Sequence, residues 1–205
     1  MESLAIKQLI KNLVKDELRN SIPIGISNRH LHINEKDFEK LFPGKSLRVK
    51  KWLGQPGEFA SEETVTIVGP KGEIKNVRIL GPLRRDTQVE LSMTDARILG
   101  VAAPIKLSGE LTDAANVILR SETGEIKVKA AIVAKRHIHM TSGEASLMGL
   151  RQGDKVDVEV CTEGRKTVFG DVEVRVNDGY ALEMHLDTDE ANAANVGTET
   201  LGKIL

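Results

Sequence analysis

Five histidines stand in this 205-residue chain, and four of them form two His-x-His pairs, His30/His32 and His137/His139. Random placement of five histidines predicts only about 0.1 such pair, so the pattern has a cause. In a β-strand, residues i and i+2 point to one face. Each pair can therefore aim two imidazoles at one ion, and each needs at least one further ligand.

A local grammar locates the third ligands. His32 is followed by Ile-Asn-Glu-Lys-Asp, His139 by Met-Thr-Ser-Gly-Glu and His185 by Leu-Asp-Thr-Asp-Glu. In each case the second residue can cap a helix, and an acid follows at the third helical position, as in a capping box. Each histidine thus ends a strand that runs into a short helix. One more place obeys the same rule: Glu90, followed by Leu-Ser-Met-Thr-Asp. Two sets follow, His30/His32/Glu90 and His137/His139/His185. Three protein ligands with an open position is the pattern of a catalytic metal. Imidazole with a carboxylate suits zinc first, with cobalt, nickel or iron as alternatives. The same helix starts favour anions through their free N–H groups. Arg84 lies six residues before Glu90, so in a continuous strand it shares that residue's face. An arginine beside metals and helix starts reads as a phosphate clamp, and the implied substrate is a small phosphorylated molecule.

The elements that must position these residues are mostly strands. Alternating or apolar runs occur at 46–52, 64–68, 76–80, 88–91, 117–119, 126–133, 155–160 and 168–176. Gly69-Pro70-Lys71-Gly72, Gly81-Pro82, Gly124 and Asn177-Asp178-Gly179 punctuate them. Short strands at this spacing suggest barrels rather than a doubly wound sheet, and no Gly-rich phosphate loop is present. Residues 26–33 match residues 133–140, with Arg-His-apolar-His in both copies, which implies two similar β units. Residues 2–19 stand apart as an amphipathic helix carrying Leu4, Ile6, Leu9, Ile10, Leu13, Val14 and Leu18. The expected fold is mainly β: two barrel domains related by the repeat, short capping helices, and the N-terminal helix.

Composition bounds the function classes. Lys and Arg total 29 against 30 Asp and Glu, a net charge of −1 that argues against a general nucleic-acid binder. No apolar run approaches the roughly 20 residues that span a bilayer. The N-terminus shows no signal-peptide pattern, and no membrane partner is expected. Cys161 is the only cysteine, so an internal disulfide and an all-cysteine metal site are excluded. The expected compartment is reducing and cytoplasmic.

Taken together, Ser27-Asn-Arg-His-Leu-His32, the run Gln-Pro-Gly-Glu-Phe-Ala at 55–60, Gly81-Pro82 with Arg84, Thr87-Gln-Val-Glu90 and Lys135-Arg-His-Ile-His139 resemble the propanediol-utilisation-type phosphotransacylases. These are phosphate propanoyltransferases, and the resemblance covers roughly residues 21–205. It implies two discontinuous barrels with two metal ions, normally zinc, between them. One barrel takes 21–28 with 135–205, the other 29–134, and residues 1–20 form the helix. The family's metal ligands fall on the six positions above, and its phosphate-binding arginine falls on Arg84. Its coenzyme A contacts fall on Ile26, Ser27, Asn28, Lys71, Arg78 and Asn192, with Lys50 and Lys51 as alternatives to Lys71.

The implied reaction interconverts propanoyl-CoA or acetyl-CoA plus phosphate with acyl phosphate plus coenzyme A. The thiol-activating role is assigned to the His30/His32/Glu90 set. A metal-dependent hydrolase of a small phosphorylated substrate is the alternative, and a non-enzymatic metal- or ligand-binding barrel is the second. Relatives of this family often carry such an N-terminal helix as an encapsulation peptide for a bacterial microcompartment. Shell or core proteins are thus candidate partners for residues 1–19, and a second copy of the chain is a candidate homodimer partner.

Overall fold

The computed structural model describes residues 2–205, and Met1 lies outside them. The elements in chain order are α1 (Glu2–Asn20), β1 (Ile22–Ser27), β2 (His30–His32), α2 (Glu35–Leu41), β3 (Val49–Trp52), β4 (Phe59–Val68), β5 (Glu73–Gly81), β6 (Gln88–Leu91), α3 (Met93–Leu99), β7 (Ile105–Lys106), β8 (Ala115–Arg120), β9 (Glu125–Ala134), β10 (His137–Met140), α4 (Ser142–Met148), β11 (Lys155–Val160), β12 (Thr167–Val176), β13 (Glu183–Asp187), α5 (Thr188–Ala193) and β14 (Leu201–Ile204). The chain is mainly β, with two closed six-stranded barrels.

Contacts divide the chain into two units: residues 1–26, 136–186 and 190–205 in one, and residues 27–135 and 187–189 in the other. In the first, the ring runs β1-β13-β10-β12-β11-β14 and closes through β14 onto β1. In the second, the ring runs β9-β6-β2-β5-β4-β8 and closes through β8 onto β9. The two rings correspond strand for strand. β10 and β2 each pair parallel with one neighbour and antiparallel with the other. The internal repeat is therefore present in the hydrogen-bonding pattern as well as the sequence. In each copy the strand preceding the His-x-His motif, β1 or β9, is built into the ring of the other copy.

Alternation decides which side chains make each core. β4 buries Ser61, Glu63, Val65 and Ile67 and turns the residues between them outward. The second barrel's core gathers Leu31, Ile67, Ile79, Val89, Leu91, Leu99 and Leu119. The first gathers Ile22, Ile138, Met140, Val158, Val160, Val174, Met184 and Ile204. Each fully buried Leu or Ile contributes about 1.5–3 kcal/mol of transfer free energy.

Every strand bearing a candidate ligand runs straight into a short helix. Asn34 caps α2 and accepts from the Asp37 N–H. Ser92 with Asp95 and Thr141 with Glu144 form complete capping boxes on α3 and α4. Each such cap is worth about 1 kcal/mol. α5 begins at Thr188, after Asp187.

α1 is the helix expected over 2–19, and its two ends differ. At its C-terminal end, Leu18 packs on the first barrel's core, and Arg19 donates to the Met148 and Leu205 carbonyls. Further back, Leu4, Ile6, Leu9, Ile10 and Leu13 are 55–76% exposed. No helix among the described residues is long and apolar enough to cross a membrane.

Candidate metal centres

β2 and β6 are antiparallel, with His30 opposite Glu90, Leu31 opposite Val89 and His32 opposite Gln88. Leu31 and Val89 point into the core, so His30, His32, Gln88 and Glu90 share the other face. All four are buried there. His30 Nε2 lies 3.6 Å from Glu90 Oε2, and His32 Nε2 lies 3.9 Å from Glu90 Oε1. These separations exceed a hydrogen bond. They approach the roughly 3.3 Å between two ligands of a tetrahedral ion bound at about 2.0–2.1 Å. His30 Nδ1 sits 2.9 Å from the Asn28 carbonyl, an acceptor, so Nδ1 carries the proton and Nε2 keeps its lone pair. Two imidazoles and one carboxylate, buried together, form a donor set that fits a divalent cation.

The electrostatics follow from that crowding. Burial works against a charge on His30, but the Glu90 carboxylate outweighs it and raises the imidazole above its ordinary value. His32 is lowered to about 3 by burial, by His30 and by Arg84. Burial opposes the Glu90 charge too, but the His30 and His32 imidazoles hold that carboxyl well below its usual range.

A hydrogen-bonded chain leads outward from Glu90. Gln88 Nε2 donates to Glu90 Oε1 at 2.6 Å and to Ser108 Oγ at 2.8 Å, while Gln88 Oε1 accepts from the Gly109 N–H at 2.7 Å. Arg84 donates to the same Ser108 Oγ at 3.3 Å and to Glu58 Oε1 at 2.6 Å. Arg84, Arg85, Asp86, Gln88, Gly109 and Leu111 line a pocket of about 300 Å³. Arg84 is not on the Glu90 strand, as a continuous-strand count requires. β6 starts only at Gln88, and Arg84 sits in the loop after β5, held by its backbone N–H on the Ile33 carbonyl.

The second set is built the same way on β10 and β13, with His137 opposite His185 and His139 opposite Glu183. Ile138 and Met184 between them enter the core. The three imidazoles converge, with ring centroids 4.6, 4.8 and 5.1 Å apart. In each set, one donor atom from every residue falls within 4.8 Å of the others. Tyr180 stacks on His139 at 4.1 Å, and His185 Nε2 meets Glu183 Oε2 at 2.8 Å.

The arginine that opens each repeated motif has a matching role in both units. Arg29 Nε binds Asp95 Oδ1 at 2.8 Å, and Arg136 NH1 binds Glu190 Oε1 at 2.7 Å. Each acid lies on the helix that follows the third candidate ligand. The ion pair thus ties the His-x-His strand to that helix.

The family model for phosphate propanoyltransferase matches residues 23–197. The chain belongs to the phosphate propanoyltransferase family. It is 49% identical to a phosphate propanoyltransferase of Shewanella putrefaciens, over 100% of this chain and 98% of that protein. It is 50% identical to one of Levilactobacillus brevis, over 100% and 99%, and 51% identical to one of Citrobacter rodentium, over 88% and 87%. The chain is accordingly an acyltransferase that works with phosphate and a CoA/acyl pair.

The residues at the family's coenzyme A positions fall in both units, Ile26 and Asn192 in the first and the others in the second. Ser27 ends β1 and Asn28 opens the two-residue link to β2, with Ile26 exposed just before them. Arg78 stands opposite His30 across the β2–β5 pair, its guanidinium donating to the Ser61 and Glu62 carbonyls. Lys71 occupies the β4–β5 turn, where its stem lies over Gly100 at the end of α3. Asn192 is exposed on α5. Glu58 and Gln88 lie inside runs that carry the family resemblance but have no role assigned from sequence, and Ser108, Glu183 and Tyr180 lie outside every such run. The readable signal was for Gln88 and Glu183 alone: each stands two residues before a third candidate ligand, on the same face of its strand.

Proposed function

We propose that the chain interconverts short-chain acyl-CoA, propanoyl-CoA or acetyl-CoA, and phosphate with acyl phosphate and coenzyme A, and that each donor set holds one divalent ion, zinc first. The observation that carries this reading is the gathering of each donor set within 4.8 Å in a chain of this family. The hydrogen-bonded chain from Arg84 through Ser108 and Gln88 to Glu90 supports it, because it joins a cation to the His30 set.

A bound divalent ion supplies Lewis-acid chemistry, lowering the pKa of a thiol and polarising an acyl or phosphoryl oxygen. The chain's own residues do the rest. The Arg84 fork suits two oxygens of one phosphoryl group. It now rests on Glu58 and Ser108, so substrate phosphate exchanges places with Glu58. Gln88 fixes Glu90 and leaves Ser108 positioned between the arginine and the amide. The CoA sulfur attacks the acyl carbon, the C–S bond forms and the C–O bond to phosphate breaks. The thiol proton leaves to solvent, and the departing phosphate keeps the bonding pair on Arg84's side. Coenzyme A is proposed to contact Ile26, Ser27, Asn28, Lys71, Arg78 and Asn192. The proposed location is cytoplasmic and within a bacterial microcompartment, with α1 as the encapsulation peptide, supported by the exposed stripe on that helix.

The deciding experiment measures free CoA released from acetyl-, propanoyl- and butanoyl-CoA with and without phosphate. Release should require phosphate and yield acyl phosphate. Equal release without phosphate would mean hydrolysis and overturn the reading.

A further inference from the structure

Gln88 and Glu183 occupy equivalent places. Each stands opposite the second histidine of its pair, His32 or His139, and two residues before the third candidate ligand. Each makes one short bond to that ligand, but with opposite polarity. In one barrel the amide of Gln88 donates to the carboxylate of Glu90 at 2.6 Å. In the other, His185 Nε2 lies 2.8 Å from the carboxylate of Glu183, where the ring N–H donates and the carboxylate accepts. The third ligand and its neighbour have been exchanged as a matched pair, acid with amide in one barrel and imidazole with acid in the other.

We propose that Glu183 is the positioning residue of the three-histidine site. By accepting from Nε2–H it fixes the tautomer and ring angle of His185, leaving Nδ1 with the lone pair for the ion. It also supplies the charge that the three neutral imidazoles lack. Each site then sets one carboxylate against its dication, Glu90 directly and Glu183 through His185. Glu183 is seated for this task. A Cβ on Gly25 would stand 2.7 Å from Glu183 Oε1 and 3.2 Å from His185 Cδ2, so β1 carries a glycine where the carboxylate and the ring lie against it.

This inference rests on the two-ion reading, and its test separates the two. The full-length chain is stripped of metal, and zinc is titrated in competition with a chromophoric chelator, with cobalt(II) absorption as the spectroscopic signature. The parent should show two tight equivalents. One equivalent or none in the parent is a failure of the two-ion reading itself. Given two, Glu183→Ala should weaken one equivalent roughly 10–100-fold and leave the other unchanged. Glu183→Gln, which keeps a neutral acceptor of the same shape, should fall between Ala and the parent, and its cobalt spectrum should shift. Unfolding of the metal-free variants by heat should match the parent. If both variants bind two equivalents as tightly as the parent, or if both equivalents weaken together, Glu183 has no positioning role.

Discussion

In the barrel built around β10, the histidine pair faces a third imidazole; in the barrel built around β2, it faces a carboxylate. Nearly everything else about the two places is shared. The first histidine of each pair stands directly across from the third donor, the residue between the histidines enters the core, and an arginine just before the pair binds an acid on the following helix. Strand register and the arginine strut thus fix where donors stand. They do not fix what the donors are. Donor type changes only together with the residue two positions before, because a buried carboxylate needs a donor and an imidazole N–H needs an acceptor. The outer surroundings differ more. Glu90 connects through Gln88 and Ser108 to Arg84, whereas His139 lies under Tyr180, with Arg175 over the face of that ring.

The largest effects should come from removing one donor set at a time. His32→Ala and His139→Ala should each lower bound zinc from about two equivalents to about one. Each should also reduce phosphate-dependent CoA release by roughly a hundredfold or more, since Lewis-acid stabilisation is worth several kcal/mol. Elemental analysis and steady-state kinetics check both. Near-parent turnover in only one of the variants would break the functional symmetry and mark that barrel's set as structural.

Next in size is Arg84, which connects to Glu90 through Ser108 and Gln88. Arg84→Ala should cut turnover by roughly 10²-fold, the scale for losing one preorganised charge-stabilising donor, while both zinc equivalents remain. Arg84→Lys should recover little, because an ammonium cannot offer the planar fork. Near-parent kinetics in Arg84→Ala would transfer the role to Arg85, which lines the same pocket.

How much of this was legible in the sequence depends on how far apart the causes lie. The His-x-His spacing and the Ser92, Thr141 and Asn34 caps involve residues within five positions of each other. Strand alternation and helix-capping chemistry are local, so both could be read. β4 and β5 extend beyond the alternating runs at 64–68 and 76–80. Their outer halves hold polar residues and register shifts that blur the alternation, as at Ala60 and Thr64. β7 and β14 gave no readable run, since each is a two- or four-residue strand whose partner lies elsewhere in the chain. An even count from Arg84 to Glu90 sets a shared face only along one strand; a loop intervenes, and Arg84 is held in place by the Ile33 carbonyl instead. Ser108 and Glu58 stand about 20 or more residues from their partners, a separation that no periodicity encodes.

The smallest expected effect concerns α1, which only the first unit carries, and its two halves make separate predictions. The exposed stripe starts at Leu4 and lies within residues 4–14, whereas Leu18 packs on the first barrel's core and Arg19 bonds to Met148 and Leu205. Removing 2–14 should leave CoA release unchanged and move the melting temperature by no more than about 2 °C, as for other changes that touch no core. Removing the whole helix also loses the packing of Leu18 and the two bonds of Arg19. These contribute about 2 kcal/mol together. For a chain of this length that is a drop of roughly 4–8 °C. Under the encapsulation reading, residues 1–19 fused to a fluorescent protein should co-localise with shells in cells that make them, and the shorter truncation should abolish encapsulation of the enzyme without harming its activity. If removing 2–14 lowers the melting temperature as far as removing the entire helix, the exposed stripe belongs to the barrel's own stability, and the difference between the two halves of α1 disappears.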